Sequence, residues 1–197
     1  MFTGMRRIFP LFLSLIIFSC GNREEEAKQA VAAVQVSPIT IDNKVTLGNQ
    51  WSSAHGYYDT EKNKTYGEDS CDGQIKFIDF VFFHDSSSNP FFAAPSDTTL
   101  HVVRKNTGAW PSQNKTYFKF TGLTEDDFDR LAYDREILQR AWVASDTPLY
   151  TRIPAKPGTV FAYQIDETGK YGLVKVVNVN GDSRNPGQVN FFIKRQN

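Results

Sequence analysis

Gln74-Ile-Lys-Phe-Ile-Asp-Phe-Val-Phe-Phe-His84 is the most apolar run in the chain beyond residue 35. Read with a period of two, it places Ile75, Phe77, Val81 and Phe83 on one face and Ile78, Phe80 and Phe82 on the other. A strand apolar on both sides predicts a central position in a sheet covered on both faces. Asp79 interrupts the run. A carboxylate in such a place must find hydrogen-bond donors or lose its charge. The expectation is therefore a partner from a loop backbone or an arginine, and a structural role ahead of a functional one.

The neighbouring segments read as further strands. Upstream, Val34–Val36, Ile39–Ile41 and Val45–Leu47 alternate around Pro38 as edge strands. The polar, aromatic stretch from Gly48 to Tyr66 holds a short hairpin with Glu61-Lys-Asn-Lys64 as its turn. Downstream, Asp85 to Asp97 reads as a surface loop, with its serine run, Asn89-Pro90 and Ala94-Pro95. Thr99–Lys105 and Lys115–Phe120 read as strands. Thr124 with Asp127 forms a capping box that opens a helix whose stripe is Phe128, Leu131, Arg135, Leu138 and Trp142. The C-terminus is a meander of Thr159–Ile165, Lys170–Val179 and Gln188–Lys194, with Gly169 free to take positive φ in the first turn. The fold class that follows is α+β and predominantly antiparallel β. It is a sandwich or partly open barrel with one packed amphipathic helix at about 125–144.

Composition agrees. Phe and Tyr are abundant (16 and 8) and Met is scarce (2) in 197 residues, which favours strands over helices. The chain has 22 basic and 22 acidic side chains, and Arg6 and Arg7 fall in the leader, so the remainder carries a net charge of −2. That argues against nucleic acid as a partner, because phosphates demand a basic face. Residues 36–197 are enough for a single β-rich globular domain with a real core.

The chain begins with Arg6-Arg7, an apolar stretch from Ile8 to Phe18 too short to span a bilayer, and Ser19-Cys20. This resembles the lipobox of bacterial lipoproteins, with Ile17 at the branched-aliphatic position and Phe18 departing from the usual small residue. The resemblance implies a signal peptide over 1–19, a covalent lipid on Cys20 and anchorage to the membrane; an ordinary signal peptide cleaved elsewhere, or a buried N-terminal helix, is the alternative. Gly21-Asn-Arg-Glu-Glu-Glu26 resembles the acidic export signal of Bacteroidetes-type surface lipoproteins. It implies an outer-membrane protein facing the cell exterior, with 20–35 as an acidic flexible tether. The strands Ile78–Phe83, Gly169–Val177 and Val189–Lys194 look like the core of β-rich domains in that uncharacterised group, which supports fold and location only.

No G-x-S-x-G elbow, H-E-x-x-H, phosphate-binding glycine loop or paired C-x-x-C is present, so no catalytic constellation is visible and the protein is expected not to be an enzyme. With Cys20 acylated, Cys71 is left as a structural thiol or, without a recognisable base beside it, a nucleophile. Asp59, Glu61, Glu68, Asp69 and Asp72 crowd one segment but lack the spacing of an EF-hand, and a solvated polar hairpin explains them. Asp97-Thr-Thr99 resembles the short O-glycosylation site of Bacteroidetes-type exported proteins. Trp51, Tyr57, Tyr58, Tyr66 and Trp110 fall in loops or short hairpins. Framed by polar groups, such rings suit carbohydrate or a partner surface protein, or else they cover the ends of an aromatic core. The expected function is thus a lipid-anchored binding or assembly module that needs no cofactor. The rival reading rests on His84 and His101: if their two strands pair antiparallel, both imidazoles share one end of the sheet and can ligate a metal or haem iron.

Overall fold

A computed structural model of the chain describes residues 39–104, 107–131, 135–144 and 147–196. The unit Val36–Asn197 is described by itself; Cys20 and the expected strand Val34–Val36 fall within residues 1–38, which lie outside the described residues.

Among the described residues, ten strands form two antiparallel sheets. The first joins β1 (Ile39–Gly48), β10 (Gln188–Gln196), β9 (Tyr171–Asn180), β8 (Val160–Ile165) and β6 (Thr116–Phe120), in that order. The second runs β3 (Lys64–Tyr66), β2 (Tyr57–Asp59), β4 (Phe80–His84), β5 (Pro90–Ala93) and β7 (Arg152–Pro154). The α-helices among the described residues are α1 (Leu100–Val103), α2 (Glu125–Arg130) and α3 (Arg135–Val143). The fold is α+β and sandwich-like, with no closed barrel.

The two faces of β4 separate as their alternation demands. Phe80 and Phe82 point into the main core with Tyr58, Phe92, Phe118, Phe161, Tyr163 and Phe191. Val81 and Phe83 point the other way, into a second cluster with Tyr57, Leu100 and Trp110. Phe80 is the hub, with ring centroids 5.0 Å from Tyr58, 5.7 Å from Phe92 and Tyr163 and 6.2 Å from Phe118 and Phe191. A third cluster puts Phe128, Leu138 and Trp142 of the helices on Val160, Ala162 and Leu173 of the first sheet. Beside it, Gly172 lies opposite Tyr163, and a Cβ there would come within 2.2 Å of the ring. A strand glycine is tolerated where another group must approach closely, here the phenol.

The expected elements differ from the observed ones in several places: Ile39–Ile41 and Val45–Leu47 are one strand, β1, and β7 forms where no element was expected. The strand in Gln74–His84 begins only at Phe80, because Asp72–Phe77 winds into a 3-10 helix with Ile75 and Phe77 half-buried. The expected loop 85–97 contains β5; Asp85 Oδ1 accepts from the backbone of Ser87 and Asn89, closing the turn that brings Pro90 opposite His84. Proline is admissible there as the first residue of a strand. The expected strand Thr99–Lys105 is instead α1. Asp97 Oδ1 accepts from Thr99 N at 2.8 Å, an Asx turn that starts the helix and leaves Val102 77 % exposed.

A further correction concerns the helix expected at 125–144, which is two helices. The Thr124–Asp127 capping box is present, but Leu131 turns out of helical space at ψ 117. The buried Lys194 on β10 takes advantage of that break, its ammonium donating to the carbonyls of Phe128 and Leu131. Gly169 does take the positive φ expected of it, adopting φ +62 in the β8–β9 turn and donating to Ile165 O at 2.8 Å.

Candidate functional site

Arg104 follows α1 directly, its backbone N–H donating to Leu100 O at 2.8 Å, and its side chain is only 4 % exposed. The guanidinium crosses to the other strands. Nη2 donates to Gly48 O at 3.1 Å and Phe82 O at 3.3 Å, and the plane rests 4.8 Å from the Tyr57 ring centroid. Gly56 permits the approach, since a Cβ there would lie 2.2 Å from Nη2. Burying a full charge is costly unless it is paired and hydrogen-bonded. The pairing of Arg104 is slack: Nη1 reaches Tyr57 Oη at 3.4 Å and Glu68 Oε2 at 4.0 Å, and Nε–H is buried with no partner among the described residues.

The guanidinium forms part of the wall of a pocket of about 440 Å³. Gln50 and Ser52 to Gly56 form one side and Gly67 to Ser70 the other. The lining is polar: the Gln50 amide, the hydroxyls of Ser52, Ser53 and Ser70, the His55 imidazole and the Glu68 and Asp69 carboxylates. Ser70 Oγ fixes one rim by accepting from Gly67 N at 2.9 Å, and Thr65 O holds His55 Nδ1 at 3.1 Å. Such a pocket can hold a polar ligand by directional hydrogen bonds around one buried cation.

Of the five loop aromatics, Trp51 alone presents its face to solvent, at 57 % exposure; its indole N–H donates to Ser183 O at 2.6 Å. It sits in sequence between two residues of the pocket wall. Tyr57, Tyr58, Tyr66 and Trp110 are buried in the two clusters flanking β4, so they are core rings and offer no sugar-stacking surface. The physical reason is the ladder of β3 and β2 on β4, which makes Tyr57, Tyr58 and Tyr66 sheet residues, while Trp110 packs on Tyr57 with ring centroids 5.4 Å apart.

The histidine pair fails at its premise. β4 pairs with β2 and β5, and His101 belongs to α1, so no strand pairing sets the two imidazoles side by side. His84 is buried with Nδ1 3.2 Å from Asn49 Nδ2, while His101 Nε2 lies 3.1 Å from Pro95 O. Among the described residues no group of three His, Cys, Asp or Glu side chains is placed to hold a metal. In the acidic segment, Asp59 is buried 3.3 Å from Lys62 and Glu61 pairs with Lys170 at 3.1 Å. Cys71 is fully buried, its thiol 3.2 Å from Glu68 O and its pKa raised chiefly by burial.

Asp79 has the backbone partner its position demands. Oδ2 accepts from Thr60 N at 2.7 Å and Thr60 Oγ1 at 2.6 Å, and Oδ1 accepts from Asn114 Nδ2 at 3.2 Å. Burial nevertheless outweighs these donors and pushes its carboxyl up to about 6. It lies in the wall of a smaller cleft of about 240 Å³ with Phe77, Asn114 and Lys170. Both oxygens are engaged, which makes Asp79 a staple between the β2–β3 turn and the start of β6.

Arg104 is the residue that sequence reasoning passed over. The sequence does not single it out within the expected strand Thr99–Lys105; the signal that finds it is Asp97-Thr-Thr99, which starts a helix and so redirects everything after it. Compared with protein-family models, with curated proteins and with solved structures, the chain matches none.

Proposed function

We propose that the protein is a lipid-anchored binding module on the outer face of the outer membrane, and that its ligand is a glycan held in the pocket at Arg104 with Trp51 as a flat apolar contact. The observation that carries this reading is the pocket itself: hydroxyl, amide and imidazole groups line its wall, with an exposed indole in the same loop. Sugars need that combination of directional polar groups and an aromatic face. The anchor rests on the stretch ending Ser19-Cys20 and on Glu24–Glu26. A partner surface protein is the second reading, favoured by Phe120 and Tyr150, partly exposed rings 5.9 Å apart at the edge of the first sheet, next to exposed Leu149.

Intact cells displaying the full chain, incubated with labelled glycan and then shaved with protease, test both parts. Wild type should retain glycan and lose it on shaving. Trp51→Ala should retain several-fold less at unchanged melting temperature, because an exposed ring contributes little to the core. Cys20→Ala should leave the membrane fraction. A Cys20→Ala protein as membrane-bound and protease-accessible as wild type would overturn the anchor, and undiminished retention by Trp51→Ala would remove the glycan platform.

A further inference from the structure

We infer that the pocket at Arg104 takes the carboxylate of an acidic sugar, which rests on the glycan reading above and narrows it to uronate-type ligands. The guanidinium has five N–H donors in a planar fork that matches a carboxylate. In this chain that fork is under-used. Nε–H is buried without a partner among the described residues, and the contacts of Nη1 to Tyr57 Oη and Glu68 Oε2 are 3.4 and 4.0 Å. Tyr57 Oη in turn reaches Glu68 Oε1 only at 3.5 Å. All three exceed the usual range for hydrogen bonds, and those made by ionised groups are normally shorter still. A buried cation in a polar pocket, loosely faced by one half-exposed carboxylate, is built to exchange that carboxylate for a better-placed one.

Glu68 is therefore a placeholder. Its side chain is 51 % exposed against 4 % for Arg104, so it can swing into water while the guanidinium stays where Gly48 O, Phe82 O and the Tyr57 ring fix it. Glu68 and Asp69 oppose an anion, but both are exposed, where salt screens them; the attraction of Arg104 acts from the buried side of the pocket. The serine hydroxyls and the His55 imidazole are left for the sugar hydroxyls.

The test titrates isotope-labelled full chain, in detergent, with methyl glucuronide and separately with methyl glucoside. It follows the amides of Gly56, Gly67 and Ser70 and the Nε–H resonance of Arg104. The glucuronide should shift these signals at about tenfold lower concentration than the glucoside, and Nε–H should respond to the glucuronide alone. Glu68→Gln removes the competing charge without touching the core and should lower the glucuronide concentration needed by about threefold. Equal potency of the two sugars would overturn the carboxylate inference and leave the glycan reading standing. No shift of pocket amides with either sugar would overturn both. A glucuronide response indifferent to Glu68→Gln, with Arg104 Nε–H unmoved, would place the carboxylate elsewhere and sink the inference.

Discussion

Asp79 shows what a single residue can disclose. Its position inside an apolar run makes a donor obligatory, and Thr60 and Asn114 supply donors. Because burial holds its pKa near 6, above the ordinary unfolded value near 4, the folded protein keeps a proton that the unfolded chain has released between those limits. Stability from this group is thus fully present below about pH 4 and is lost as pH rises to about 6, a change of about 3 kcal/mol. Asp79→Asn can present its carbonyl to Thr60 and its amide to a flipped Asn114, so it should be at least as stable as wild type at pH 7 and lose that advantage at pH 4. Urea midpoints of the two proteins at both pH values check this; an unchanged difference between them would mean that the carboxyl titrates normally. The loop aromatics teach the converse. Their polar neighbours in sequence suggest exposure, but Tyr57 and Tyr58 pair with Val81 and Phe80 across a ladder no local pattern reveals.

At the scale of elements, strands whose alternation is long were legible and those bounded by prolines were not. β8, β9 and β10 stand within a few residues of their expected limits, while β5 is only four residues long and begins at Pro90. The helix break at Leu131 was illegible for a different reason: its partner, Lys194, is 63 residues away. Burial lowers the pKa of that ammonium, yet the carbonyls it satisfies belong to the end of α2. Lys194→Met keeps the packing volume and orphans those acceptors, so it should destabilise the protein by about 2 kcal/mol. Hydrogen exchange should show the loss of protection concentrated in Glu125–Leu131. Protection there equal to wild type would show that the lysine does not hold the helix end.

The molecule as a whole is organised by β4 and its neighbours, because the main core touches both sheets and the two outer clusters are built on their backs. Trp110 reports on one outer cluster and Trp142 on the other. Phe80 belongs to neither, but its ring meets five others in the layer between the sheets. Truncating it leaves a cavity bounded by side chains of both sheets, at a cost of about 3–5 kcal/mol. If the sandwich unfolds as one cooperative unit, that cost must appear equally at both tryptophans. Variants keeping Trp110 or Trp142 as the sole tryptophan, each with and without Phe80→Ala, make the comparison by fluorescence during thermal melting. The two probes should fall together in the parent and shift together, by several degrees or more, in the truncated protein. A shift at Trp110 with Trp142 unmoved would mean that the helical layer and its sheet melt on their own, and that the interior between the sheets does not bind the fold into one unit.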